Sequence, residues 1–292
     1  MLSETLDYQK KFADVNGRQI AYIEQGSGDP IVLLHGNPTS SFLWRNVLPE
    51  LTASGRVIVP DLIGHGDSAK LPASEGPERY TLEVAYDFVN GLLEVIGADD
   101  NVTLVIHDWG SAIGFMWAMR HPAAVKGVAY MEGIVKPVTW ADWPEGAVGI
   151  FKGFRSDKGE DLILNRNMFI EAVLPSSVLR TLTEAEMAAY RAPHLEPGDR
   201  QPLLNWPRQI PIEGEPEDVV ALVDEYGAFM AGSQIPKLFI NADPGSILTG
   251  PQREFCRSWP NQQEVTVTGL HFIQEDSPVE IGRAVANWLS KL

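Results

Sequence analysis

The chain has 292 residues, 44% of them apolar and 21% charged, which is the balance of a globular protein. A chain this long buries about three-quarters of its unfolded surface and needs no disulfide or metal staple. Lys and Arg number 23 against 39 Asp and Glu, a net charge of −16, so the surface repels phosphate backbones and anionic lipid and argues against nucleic acid or membrane as partners.

Cys256 is the one cysteine, which excludes an intrachain disulfide and a thiolate metal cluster. The first residues, MLSETLDYQKK, lack the apolar core of a secretory signal, and no apolar run approaches the ~18 residues of a membrane span. A cytoplasmic location is the expectation.

In chain order, Lys11–Val15 and Arg18–Glu24 flank Asn16-Gly17, a two-residue hairpin signal. Ile31–His35 follows as a continuous apolar run, the pattern of a parallel strand buried on both faces. Val57–Val59, Val102–Ile106 and Val125–Tyr130 repeat it. Helices are predicted between them, over Thr81–Ile96 and Gly110–Arg120. In the first, Leu82, Ala85, Val89, Leu92, Leu93 and Ile96 recur at three- and four-residue steps. Such alternation predicts an α/β fold with a doubly wound sheet.

From about Val135 to Pro216 the alternation stops, and nine of the 21 prolines break the stretch into short helices and loops. Its aromatic content makes it too apolar for a disordered linker. The rhythm then returns: a helix at Glu217–Met230, a strand at Lys237–Asn241, a helix near Pro251–Arg257, a strand at Glu264–Thr268 and a closing helix at Pro278–Leu292. The expected organisation is a core over 1–134, a helical cap over 135–213 and the rest of the core over 214–292.

Ligands of open α/β sheets bind outside the carboxyl ends of the strands. The polar residues there are His35 and Asn37, Asp61, His107-Asp108-Trp109, Glu132, Asp243 and His271. A carboxylate at a strand-to-helix turn, then acids, then a histidine is the order of an α/β-hydrolase triad, but no G-x-S-x-G serine elbow occurs. A carboxylate in that place can displace a leaving group from carbon and form an alkyl ester, which histidine-activated water then cleaves. Glu132 and Asp243 both follow strands, and either could orient His271. His35 and His107 are read as supports of the turns, His65 as part of a tight loop, His121 as a solvated helix cap and His194 as a surface residue. No pair has metal-ligand spacing, so neither metal nor other cofactor is expected.

The segments HGNPTSSFLWRNV (35–47), DLIGHGDS (61–68), VIHDWGSAIGF (105–115), YMEGI (130–134), NWPRQIPI (205–212) and LHFIQEDSP (270–278) resemble the haloalkane dehalogenases. The resemblance runs from about Gln19 to the C-terminus, and is greatest to the subgroup with Asn after His-Gly and Glu after the sixth strand. It implies an α/β-hydrolase fold, with a mostly parallel eight-stranded sheet and an inserted cap. Asp108 would be the nucleophile, His271 the base and Glu132 the acid, with Asp243 as the alternative. Asn37 and Trp109 would bind halide through their side chains and supply the oxyanion hole through their backbone N–H groups. A departing halide needs such donors, because it cannot usefully be protonated. The pocket would be lined by Trp143, Phe151, Phe154, Phe169, Val173, Trp206, Pro207, Ile210, Leu248 and Phe272. A small apolar halogenated substrate, water and halide are the implied partners, and the chain is expected to be a monomer or weak homo-oligomer.

Two rival activities share parts of this set. An epoxide hydrolase also uses an elbow Asp but needs two cap tyrosines, and 135–216 holds only Tyr190. A coelenterazine-type luciferase, a cofactor-independent monooxygenase, shares the Asn, Asp-Trp, Glu and His residues.

Overall fold

The structure, a computed structural model, describes residues 2–292; Met1, where the expected first part of the core begins, lies outside the described residues. Eight strands form one sheet: β1 (Lys10–Val15), β2 (Arg18–Gly26), β3 (Pro30–Leu34), β4 (Arg56–Pro60), β5 (Val102–Asp108), β6 (Val125–Gly133), β7 (Lys237–Pro244) and β8 (Gln262–Gly269). Their order is β1-β2-β4-β3-β5-β6-β7-β8. β2 runs antiparallel to both its neighbours, and every pairing from β4 to β8 is parallel. The continuous apolar runs are the central strands, and β3 is buried at every residue. From β3 the chain moves to one side as β4 and returns to the other as β5. This reversal opens a crevice at the carboxyl ends of β3 and β5.

Helix α1 (Leu82–Val95) is amphipathic, capped by Thr81, whose hydroxyl accepts from Val84 N at 3.2 Å. Helix α2 (Trp109–Arg120) packs between α1 and a later helix and against the sheet, and is buried on nearly all sides. Its small residues permit this: a Cβ at Gly110 would collide with the Leu34 and His35 carbonyls.

After β6 the chain leaves the sheet as α3 (Glu145–Arg155), two π-helical turns at Asp161–Asn165 and Phe169–Val173, and a single turn α4 (Leu174–Ser176). α5 (Glu184–Arg191) carries a capping box between Thr183 and Glu186, and α6 (Gln201–Gln209) follows. These elements cover the carboxyl ends of the strands. α7 (Glu217–Gly232), α8 (Gly250–Arg257), α9 (Ile273–Asp276) and α10 (Pro278–Leu289) complete the core. Among the described residues, no helix is long and apolar enough to cross a membrane.

Candidate active site

The crevice opens into a cavity of about 580 Å³ between the strand ends and the covering helices. At its floor Asp108 ends β5 with φ 51° and ψ −130°, a sharp turn that feeds directly into α2. Close approach at this turn demands Gly36, where a Cβ would collide with the Asp108 carboxylate. Ser111 is buried one turn into α2; its hydroxyl donates to the Asp108 carbonyl at 2.5 Å and accepts from Ile134 N at 2.8 Å. It is a brace for the turn and does not present its oxygen to the cavity.

The two carboxylate oxygens of Asp108 face different groups. Oδ1 accepts from the Asn37 backbone N–H at 2.7 Å, and Oδ2 lies 3.3 Å from His271 Nε2. Burial would raise the Asp108 carboxyl, but the bond to His271, the His271 and His107 rings and the Trp109 backbone N–H hold it below the ordinary range. His271 Nδ1 lies 3.4 Å from Glu132 Oε2. Burial would lower His271, but Asp108 and Glu132 on either side raise it to about 9.

Glu132 reaches this place through a bulge. His107 pairs with Met131 and Asp108 with Gly133, so Glu132 is the extra residue, with φ 38°. Its fully buried carboxylate accepts from Ser246 N at 3.0 Å, Ile247 N at 2.8 Å and Leu248 N at 3.3 Å. Asp243 is exposed at the end of β7 and pairs in register with Thr268. The geometry therefore brings Glu132, and not Asp243, to His271.

Asn37 is 3% exposed, and neither polar atom of its side-chain amide has a protein partner. It lines the cavity beside Asp108 and Trp109. A buried amide without a partner costs stability, so its presence here points to a bound polar or anionic group. Trp143, Phe151, Phe169, Val173, Pro207, Ile210 and Phe272 line the rest, with Ile134, Ile150 and Ile247 added.

Three expected pocket residues lie one layer back. Phe154 stacks on Phe169, Trp206 packs on Trp109 at 4.6 Å between ring centroids, and the Leu248 backbone serves Glu132. Phe151 and Phe154 stand three apart on α3, so spacing could not tell the wall from the layer behind it. His194 is also corrected. It is 1% exposed rather than on the surface, and burial pushes it down to about 4. Its ring packs edge-on to His65, which accepts the Trp206 indole N–H at 3.1 Å. His121 is half-buried, stacked on Trp117 and bonded to the Tyr86 hydroxyl at 3.0 Å, so its ring is not a free solvated cap. Tyr190 is buried against Glu275 and does not line the cavity, so no cap tyrosine is placed to protonate an epoxide oxygen.

His107 does more than support the turn. Its Nε2–H donates to the His271 carbonyl at 2.8 Å, and burial, with the neighbouring His271, pushes it down to about 3, so it stays neutral. Among the described residues, no three His, Cys, Asp or Glu side chains are grouped as a metal site.

A family model for the α/β-hydrolase fold matches residues 29–278. The chain is thus an α/β-hydrolase. It is 56% identical to a haloalkane dehalogenase of Sphingobium indicum over 97% of this chain and 96% of the relative. A haloalkane dehalogenase of Mycolicibacterium smegmatis is 49% identical over 97% of this chain and 91% of its own. The crystal structure of the haloalkane dehalogenase DbeA from Bradyrhizobium elkani superposes with a TM-score of 0.91 at 39% identity, covering 98% of both chains. The chain belongs to the haloalkane dehalogenase family.

Proposed function

We propose that this enzyme hydrolyses haloalkanes to an alcohol, a halide and a proton in two half-reactions, with the core (1–134 and 214–292) supplying the reacting groups and the cap (135–213) most of the apolar wall. The observation that carries the reading is the elbow carboxylate of Asp108. One oxygen is held by a backbone N–H and the other faces a histidine, beside an unpartnered amide in an apolar cavity.

In the first half, Asp108 Oδ2 attacks the carbon bearing the halogen, the carbon–halogen bond breaks, and the halide leaves with the bonding pair. The Asn37 amide and the Trp109 indole N–H receive the developing charge. Asp108 needs no activation, because its carboxyl is held in the ionised form.

In the second half, water attacks the ester carbonyl and His271 Nε2 takes its proton. Negative charge moves onto Oδ1, where the backbone N–H groups of Asn37 and Trp109 serve as the oxyanion hole. The bond from the Asp108 carboxyl carbon to the alkoxy oxygen then breaks, the added hydroxyl gives its proton to that oxygen, and the alcohol departs from a restored carboxylate. The charge on Asp108 times this exchange. In the resting enzyme His271, raised to about 9, carries a proton at neutral pH. Alkylation turns Asp108 into a neutral ester and removes one of the two carboxylates that raise His271. Losing that carboxylate lowers the ring from its resting value, which favours the neutral imidazole that a base requires. Glu132 keeps the imidazole oriented.

His271→Phe separates the halves. The variant is expected to release about one halide per active site and stop, with the alkyl group retained on the peptide containing Asp108, as read by mass spectrometry. A folded variant without the adduct, tested with a bromoalkane that the wild type turns over, would overturn the mechanism. The luciferase alternative is checked by light output with coelenterazine, and none is expected.

A further inference from the structure

A buried ion cluster joins the covering helices to the segment that carries His271. Glu275, in α9 four residues beyond His271, is fully buried. Its Oε1 accepts from Arg45 Nη1 at 2.6 Å and from the Tyr190 hydroxyl, and its Oε2 accepts from Arg45 Nη2 at 2.8 Å and Arg180 Nη2 at 2.5 Å. The same two arginines hold Glu186: Arg45 Nη2 at 2.7 Å, and Arg180 Nη2 and Nη1 at 2.6 and 2.8 Å. Arg45 follows β3, Arg180 precedes α5, and Glu186 and Tyr190 lie on α5. The two cations and two carboxylates cancel, with Tyr190 closing the remaining lone pair.

The backbone around His271 is tied to the same place. Phe272 N–H donates to the Ser177 carbonyl at 3.1 Å, and Arg180 Nε to the Glu275 carbonyl at 2.7 Å. Asp276 accepts from Leu179 N and Arg180 N through Oδ1 and from Leu270 N through Oδ2. Phe272, Glu275 and Asp276, just beyond the histidine, are thus stapled to 177–190, and Asp276 in turn holds Leu270 just before it. No member of the cluster lines the cavity. The substrate wall from Phe169 to Val173 continues through Ser176 to Ser177, so wall and staple meet at Ser177 while the charged groups stay outside the cavity. Buried ion pairs are poor sources of net stability but impose a particular geometry.

We infer that Glu275, held by Arg45, Arg180 and Tyr190, is a positioning residue for His271, so that the cap sets the placement of the base as well as the shape of the pocket. The inference rests on the proposal that His271 serves only the ester-hydrolysis half. Asp108 and its halide donors are held by their own backbone on β5, on α2 and in the loop after β3, and the cluster meets them indirectly, through the stretch that carries Arg45 and through the bond from His107 of β5 to the His271 carbonyl. Loosening Glu275 therefore disturbs the second half-reaction and spares the first.

The test measures both halves, by rapid-quench halide release and by decay of the alkyl-enzyme, in Glu275→Gln and Tyr190→Phe. Glu275→Gln keeps the volume and loses the charge. Tyr190→Phe removes one hydroxyl and keeps the ion pairs, so it carries the test if the first variant does not fold. The halide burst is expected to stay within about 3-fold of the wild-type rate, while ester hydrolysis slows by roughly 10-fold or more in Glu275→Gln and about 3-fold in Tyr190→Phe, with alkyl-enzyme accumulating. Equal slowing of both halves marks a merely structural cluster and overturns the inference, as does unchanged ester hydrolysis. His271→Phe is run alongside. If it traps the ester and the other variants do not, only the positioning role fails; if it too traps nothing, the mechanism beneath it fails.

Discussion

Glu132 and Asp243 stand at the ends of neighbouring strands, and only their surroundings separate them. Glu132 is enclosed, holds three backbone N–H groups and faces His271 Nδ1, whereas Asp243 is exposed. An acid that orients histidine acts on the step histidine performs, so Glu132→Gln should slow ester hydrolysis by roughly 100-fold or more. Asp243→Asn should leave it within about 2-fold, as surface changes away from a site do. Steady-state halide release with alkyl-enzyme quantitation reads both, and the opposite ranking would move the role to Asp243. At this scale the sequence was most legible where a residue's place follows from the end of a strand: Asp108, Asn37, Trp109 and His271. The choice between the acids was not legible from the residues themselves, because it turns on a bulge created by the register of β5 against β6. Burial of His194 was hidden for a similar reason. Exposure in an irregular segment is decided by partners distant in sequence, here His65 and Trp206.

The turn between β5 and α2 shows what an element can tolerate. Gly110 faces the Leu34 and His35 carbonyls, which are backbone and cannot yield, so Gly110→Ala should destabilise the fold by about 3 kcal/mol. Gly149 lies on the exposed face of α3 with no atom within 4 Å of where a Cβ would stand. Gly149→Ala should therefore stabilise by about 0.5–1 kcal/mol and leave turnover unchanged. Urea denaturation of both variants measures the contrast, and equal effects would mean that packing at the elbow is looser than its geometry implies. Elements as a class were the readable part of this chain. Buried parallel strands appear as unbroken apolar runs, α1 as a three-to-four repeat, and the covering helices as the place where proline interrupts both patterns. The layering inside those helices was not readable, since Phe151 on the wall and Phe154 behind it share one face of α3. Nor was the tie between Arg45 and Glu275, 230 residues apart, since no local pattern records a contact across the whole chain.

Over the whole molecule, the histidines give stability a pH optimum. His35, His65, His107 and His194 are all buried and all lowered, chiefly by that burial, to about 3 in His107 and about 4 in His194. Their folded values lie below the unfolded value of about 6.5, so the unfolded chain binds more protons as pH falls. The stability they contribute is present above 6.5 and is lost as pH drops through the folded values. His271 has the opposite sign. Burial opposes its charge, but Asp108 and Glu132 raise it to about 9, so its contribution is full below 6.5 and is lost as pH rises through 9. The two trends meet near pH 6.5, and four groups on the acid side against one on the alkaline side make the acid limb the steeper. Each buried neutral ring contributes a slope of at most about 1.4 kcal/mol per pH unit in its window. His194 offers a direct test, because it lies away from Asp108 and loses a single hydrogen bond, from Nδ1 to the Asp199 carbonyl at 3.1 Å, when the ring is replaced. Urea unfolding of the wild type and His194→Phe is expected to show a shallower fall for the variant between pH 6.5 and 4, with the two curves converging toward the lower limit. An undiminished slope in His194→Phe would show that this ring takes up its proton without unfolding, through an opening of the cap that leaves the core intact.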